Sequence, residues 1–158
     1  MKLLLLSDSH REMQHLHLAI RRERPHAVLH LGDYVADADE LYYPGLPILR
    51  VRGNCDRIAF ACAETLLRDL EGVRVFAAHG HRYGVKQSLL QIAFAGREKG
   101  AQVVAFGHTH QPYCAYRDGL WLINPGACSG SRPSYGVVNI EAGQANCRLV
   151  DMYKEETP

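Results

Sequence analysis

A chain of 158 residues is the length of one domain, and a composition of 47% apolar and 22% charged residues is that of an ordinary globular protein with enough material for a core. Its net charge of +1 carries no broad electrostatic footprint for nucleic acid or for an anionic membrane, so neither partner is expected. Five cysteines, at 55, 62, 114, 128 and 147, are odd in number and include no C-x-x-C pair, which argues against a disulfide framework or a cysteine-type zinc site and for reduced thiols in a cytoplasm.

The opening MKLLLLSDSH has a run of only four leucines, too short for a signal sequence or a membrane span, and reads as a first strand over 2–6. MQHLHLAIRRE, 13–23, places Met13, Leu16, Ala19 and Ile20 on one helical face. His15 and His17 are then expected on its surface, and the RRER stretch at 21–24 reads as a solvated face. Short, nearly continuous apolar runs at 27–31, 48–52, 73–78 and 102–106 have the texture of strands buried on both faces. Within the second of these strands, His30 is expected to be a satisfied buried histidine, and His26 to sit in the loop before it. Asp37, Asp39 and Glu40 read as a solvated acidic stretch. A second helix is expected over 86–100, with Leu89, Ile92 and Ala93 inward and Gly100 as its stop. Beyond residue 111 the pattern changes to hairpins, one turning at Asp118-Gly119 and one near Gly143, and the last residues, KEETP, read as a fraying end. The chain opens as β-α-β and closes as antiparallel β, so two sheets with helices outside are the natural packing, in one domain spanning 1–158.

Five apolar runs end in polar groups of one kind: Ser7-Asp8-Ser9-His10, Gly32-Asp33, Gly53-Asn54-Cys55-Asp56, His79-Gly80-His81 and Gly107-His108-Thr109-His110. Asp8-x-His10 alone reads equally well as a turn with a cap and Gly32-Asp33 more often as a turn, because Gly, Asn and Asp tolerate turn geometry, whereas two close histidines after a buried strand, at 79/81 and 108/110, are rare without a reason. Together they are specific. Ligands of α/β sheets bind outside the carboxyl ends of the strands, and parallel strands would bring all five groups to one rim. Aspartate, asparagine and histidine are oxygen and nitrogen donors suited to divalent transition metals.

The series DSH, GD, GNCD, HGH, GHTH resembles the calcineurin-like metallophosphoesterases, most of all their small bacterial and archaeal phosphodiesterase branch, and the resemblance covers nearly the whole chain. It implies an α/β fold, a four-layer α-β-β-α sandwich with two mixed sheets and a two-metal centre at one edge. It implies that Asp8, His10 and His110 hold one metal, that Asn54, His79 and His108 hold the other, and that Asp33 bridges both. Manganese is the metal it favours, with iron, zinc, cobalt and nickel open to the same ligands. The activity implied is hydrolysis of a small phosphodiester by a hydroxide bridging two metals, with Asp33, Asn54, His81 and Cys55 around the reacting phosphorus. Homo-oligomer formation is left open.

Cys55 departs from the pattern, since many members carry histidine there. A thiol has a reference pKa of about 8.5 against about 6.5 for imidazole and is a weak donor, so the source of the leaving-group proton is open and diesters with good leaving groups are favoured. His81 is expected beside the phosphate or behind the metal ligands, rather than on a metal. The segment from Asn124 to Gly136, including Arg132, reads either as a phosphate-contacting loop or as plain surface. Two rivals compete with an enzyme of this class. One is a non-catalytic protein-binding scaffold of the same fold, as in a retromer subunit, which retention of all seven ligand positions disfavours. The other is a serine hydrolase built on Ser9, which lacks a G-x-S-x-G elbow.

Overall fold

The computed structural model describes residues 1–154; the expected fraying of 155–158 lies outside the described residues. Ten strands form two five-stranded sheets. The first contains β1 (Lys2–Leu6), β2 (Ala27–His30), β3 (Ile48–Arg50), β9 (Ser134–Glu141) and β10 (Gln144–Asp151), in the order β10-β9-β1-β2-β3. The second contains β4 (Thr65–Leu70), β5 (Val73–Ala78), β6 (Val103–Ala105), β7 (Tyr113–Arg117) and β8 (Leu120–Asn124), in the order β4-β5-β6-β8-β7. Both sheets are mixed. Strands β1, β2 and β3 pair in parallel, as do β5, β6 and β8, while β9-β10, β4-β5 and β7-β8 are antiparallel.

The four-leucine run shows why these strands read as continuously apolar. Successive side chains point to opposite faces. Leu3 and Leu5 pack between the sheets against Val75, Ala77, Val103 and Ala105, while Leu4 and Leu6 face Leu16 and Ile20 of α1 (Met13–Glu23). On the far side of the second sheet, Ile92 of α3 (Leu90–Glu98) packs on Phe76, Val104 and Phe106. The layers are therefore helix, sheet, sheet, helix. Both late hairpins turn where expected, with left-handed φ of 50° at Asp118 and 79° at Gly119, and of 49° at Ala142 and 75° at Gly143.

Three elements differ from the sequence reading. The second helix begins at Leu90 rather than near 86, because the Gly84 carbonyl closes a turn by accepting from the amides of Gln87 and Ser88. β4 was not expected: it is an edge strand whose three leucines are at best half-buried, Leu67 being exposed, so no clean alternation marks it, and it joins β5 through a tight turn at Glu71-Gly72. The five-residue α2 (Val35–Asp39) is too short to leave a periodic signal.

Parallel pairing puts the ends of β1, β2, β3, β5 and β6 at one edge. The loops beyond them are stitched together by backbone hydrogen bonds, from Asp8 N–H to the Gly32 carbonyl at 3.0 Å and from Gly107 N–H to the His79 carbonyl at 2.9 Å.

Candidate metal centre

Six of the seven expected ligands form two compact groups at this edge. Asp8, His10 and His110 make one, Asp33, His79 and His108 the other, each offering donor atoms that all lie within 4.8 Å of one another. The groups adjoin, with His79 Nε2 4.0 Å from Asp8 Oδ1 and 3.4 Å from Asp33 Oδ2. Asn54 is exposed on the neighbouring loop, where its amide donates to Cys55 Sγ at 3.5 Å. His81 joins neither triad, but its ring lies 5.5 Å from that of His79 and 6.1 Å from that of His108.

Hydrogen bonds across the two sheets fix the ligands. His79 Nδ1 donates to the Leu31 carbonyl at 2.7 Å, and a carbonyl only accepts, so Nδ1 carries a proton and Nε2 is turned to the site. His108 N–H donates to Asp8 Oδ2 at 3.2 Å, and Ser7 Oγ donates to the same oxygen. Cys55 N–H donates to Asp33 Oδ1 at 2.9 Å. The approach is tight enough to require glycine: a Cβ on Gly53 would lie 2.1 Å from Asp33 Oδ1, and one on Gly107 2.0 Å from Ser7 Oγ. Asp8, His10, Asp33, His108 and His110 all take left-handed φ, between 43° and 69°. Such backbone is costly for non-glycine residues and collects at functional sites.

The donor atoms converge without satisfying one another. Among the described residues, the buried Asp8 Oδ1, His10 Nε2 and His79 Nε2 have no well-formed hydrogen bond, although His110 Nε2 stands 3.1 Å from Asp8 Oδ1. Buried polar atoms are rarely left so. Carboxylates and imidazoles aimed at common points suit divalent transition metals, and the residues present fit such ions. The charges agree. Burial pushes the Asp8 and Asp33 carboxyls up, but the histidines beside them outweigh it and hold both below their ordinary range. Burial lowers His79, yet Asp33 and Asp8 carry it above its ordinary value, and Asp8 does the same for His110. Burial and the neighbouring His79 lower His108 to about 4 and also lower His81. Desolvation and Asp33 push the Cys55 thiol up to about 11.

The structure gives roles to residues that the sequence reading named without one or placed on the surface. Asp56 is buried, and its Oδ2 accepts from the amides of Asp33 at 3.0 Å and Gly53 at 2.7 Å while Oδ1 accepts from Val35 at 2.9 Å. It joins the two loops that carry Asp33 and Asn54. Asn124 does the same for the GHTH loop, donating to the Gly107 carbonyl at 2.9 Å and to Thr109 Oγ1 at 3.0 Å. Asp37 is not solvated. It is buried and accepts from Ser9 Oγ at 2.7 Å and Arg11 N–H at 2.8 Å, which shapes the DSH loop. That chain continues through Ser9 Oγ to His30 Nε2 at 3.0 Å, so His30 is the satisfied core histidine expected, lowered by burial to about 4. His15 is not on the surface either. Its Nδ1 bonds the Cys128 carbonyl at 2.8 Å and its Nε2 the Tyr153 hydroxyl at 2.9 Å. His17 is half-buried against the Tyr43 hydroxyl at 2.7 Å. In RRER the arginines are exposed, but Glu23 is buried between Lys2, Tyr135 and Arg148. The Asn124–Gly136 segment lies beside the site, with Ser129 Oγ donating to the Asp8 carbonyl at 2.7 Å and Arg132 exposed.

The calcineurin-like phosphoesterase superfamily domain model matches residues 1–143. The Bacillus subtilis protein named probable metallophosphoesterase YsnB is 32% identical, covering 99% of this chain and 94% of that protein. A Methanocaldococcus jannaschii phosphodiesterase is 27% identical over 89% of this chain and 94% of its own length. Among solved structures, a Streptococcus pneumoniae protein described as a predicted phosphoesterase superposes with a TM-score of 0.79 at 24% identity, covering 99% of this chain and 92% of that one. A single mutant of Vps29 from Entamoeba histolytica superposes at 0.75 and 21% identity, covering 96% of this chain and 99% of that one, and shares the fold. Motifs, architecture and relatives agree, and this chain belongs to the calcineurin-like phosphoesterase superfamily.

Proposed function

We propose that this chain is a phosphodiesterase with a dinuclear metal centre, manganese being the favoured ion and iron, zinc, cobalt and nickel the alternatives. The observation that supports it is the pair of adjoining donor triads in which, among the described residues, the buried Asp8 Oδ1, His10 Nε2 and His79 Nε2 have no well-formed hydrogen bond. In this reading Asp33 would be shared by the two ions, and Asn54 would complete the second set with a neutral amide oxygen. When bound, such ions supply Lewis acidity toward water and toward the phosphoryl oxygens.

The protein's own part is positioning. Asp56 and the Cys55 amide hold the Asp33 backbone and carboxylate, and the Leu31 carbonyl orients His79. His81, neutral because burial and His79 lower it, has a buried Nδ1 without a partner among the described residues and offers a contact to the substrate's phosphoryl group. Cys55, with its thiol at about 11, stays neutral and is a weak hydrogen-bond donor, so it brings no positive charge to a departing alkoxide as an imidazolium would. The substrates supported are therefore small diesters whose leaving groups depart as anions. The five unpaired thiols suit a reducing compartment, the cytoplasm in this reading.

The test is a screen of bis(p-nitrophenyl) phosphate against p-nitrophenyl phosphate on metal-stripped protein with each metal restored. Diester hydrolysis that returns with metal and is absent in Asp33→Ala is the expected result. Two bound metals with no hydrolysis of any ester would favour the scaffold that the shared Vps29 fold also permits.

A further inference from the structure

An open cleft of about 760 Å³ begins at His110, the most exposed of the grouped ligands, and runs along the surface between the GHTH loop and β10. Pro112, Leu149 and Val150 give it an apolar side, and Arg132, Arg148 and Lys154 line it with cations. Past Arg148 and Lys154 it continues into a second depression of about 680 Å³ that adds Arg22 and Lys2. Two carboxylates, Glu23 and Asp151, stand against these five cations, and Glu23 is already bonded to Lys2 and Arg148. Among the described residues the groove thus gathers five cations and two carboxylates on a chain whose net charge is +1. Among the described residues, Arg132 and Lys154 have no ion-pair partner, and both line the cleft.

We infer that this cleft is a subsite for a second phosphate on the substrate, and that the departing half of the diester is nucleotide-like, with a phosphate of its own and a flat apolar ring. This rests on the phosphodiesterase reading and narrows its substrate. The volume is that of a pocket for one small ligand, and the lining has the composition such a ligand needs: an apolar wall for a ring and guanidinium and ammonium groups for phosphate oxygens. The cleft starts at a ligand of the candidate metal centre, so a diester at the metals would direct one of its two arms into it. The small net charge of the chain hides this feature, because the remaining surface is acidic enough to cancel it.

Two measurements decide the inference separately from the activity. Adenosine 5′-monophosphate is titrated by calorimetry into metal-stripped protein, with adenosine as the control. The parent is expected to prefer the monophosphate, and Arg132→Ala/Lys154→Ala to lose about tenfold or more in affinity for it, the factor that one charge-assisted contact supplies. Arg132→Lys/Lys154→Arg, which keeps both charges, should retain most of the binding. Equal affinity of the parent and the alanine double variant overturns the subsite. On metal-loaded enzyme, kcat/KM is compared for a dinucleotide with and without a terminal phosphate. The parent should favour the phosphorylated form about tenfold and the alanine variant should lose that preference; a parent ratio of one overturns the substrate assignment. If no ester is cleaved with any metal, the phosphodiesterase reading fails while the calorimetry still decides whether the cleft binds phosphate.

Discussion

Asp56→Asn removes a charge that touches no substrate, yet it should disturb the centre. In the parent, one oxygen accepts from the amides of Asp33 and Gly53 and the other from Val35. The asparagine oxygen can keep the first two bonds but not their charge. A charge-assisted bond is worth roughly 1.5–3 kcal/mol and a neutral one roughly 0.5–1.5, so about 1 kcal/mol is lost from each. The amide nitrogen then meets the Val35 N–H, donor against donor, and a buried unsatisfied donor costs about 1–3 kcal/mol. The total is about 3–5 kcal/mol, a large part of the roughly 5–15 kcal/mol of a typical domain, and equals a fall in Tm of about 6–20 °C at the 2–4 °C per kcal/mol usual for this size. Because two of the three amides lie in the Asp33 and Gly53 loops, metal at the Asp33-His79-His108 group should weaken more than metal at the Asp8-His10-His110 group. Urea unfolding of the metal-stripped proteins and elemental analysis after gel filtration measure both effects. A loss below about 1 kcal/mol, or two metals retained at parent affinity, would refute the anchoring role.

His10→Ala and His79→Ala should each empty a different metal position, so anomalous diffraction on the two variants should show complementary peaks; loss of the same peak in both would break the assignment of ligands to two sets. Cys55→His should raise the rate on alkyl esters more than on activated aryl esters, by less than the full 10²–10⁴-fold of a well-placed acid because imidazole is larger than the thiol it replaces. With metals retained and an unchanged alkyl-to-aryl ratio, protonation must be sought elsewhere, His81 first. Glu23→Gln tests the ion cluster: burial raises the Glu23 carboxyl, but bonds from Lys2, Arg148 and Tyr135 hold it below its ordinary value. Its contribution is thus fully present above the ordinary glutamate range near 4 and is lost as pH falls through the depressed folded value. The variant should be less stable than the parent by about 1–3 kcal/mol at pH 7, and urea unfolding should show the gap closing toward pH 3. A gap that is independent of pH would mean packing rather than charge.

The strand-end motifs were legible because each is local: an apolar run buried on both faces stops, and Gly, Asp, Asn or His follows within a few residues. The Leu3–Leu6 alternation, the two late hairpins and His30 as a core histidine follow from the same short-range pattern. What supports the ligands was not legible. Asp37 meets Ser9 from 28 positions away, Asp56 meets Asp33 from 23, and His15 meets Cys128 from 113, so Asp37 and His15 read as surface residues, and Asp56 as a strand-end residue without a role, until the loops are folded together. The basic groove likewise combines Lys2 and Arg22 with Arg132, Arg148 and Lys154, from opposite ends of the chain. Composition sums charge over the whole surface and returns +1; only the pairing of β1 with β9 and of β9 with β10 brings those cations to one side. Local sequence determines what a residue is able to do, whereas burial and a concentrated field arise from distant segments excluding water together, and that is decided by topology.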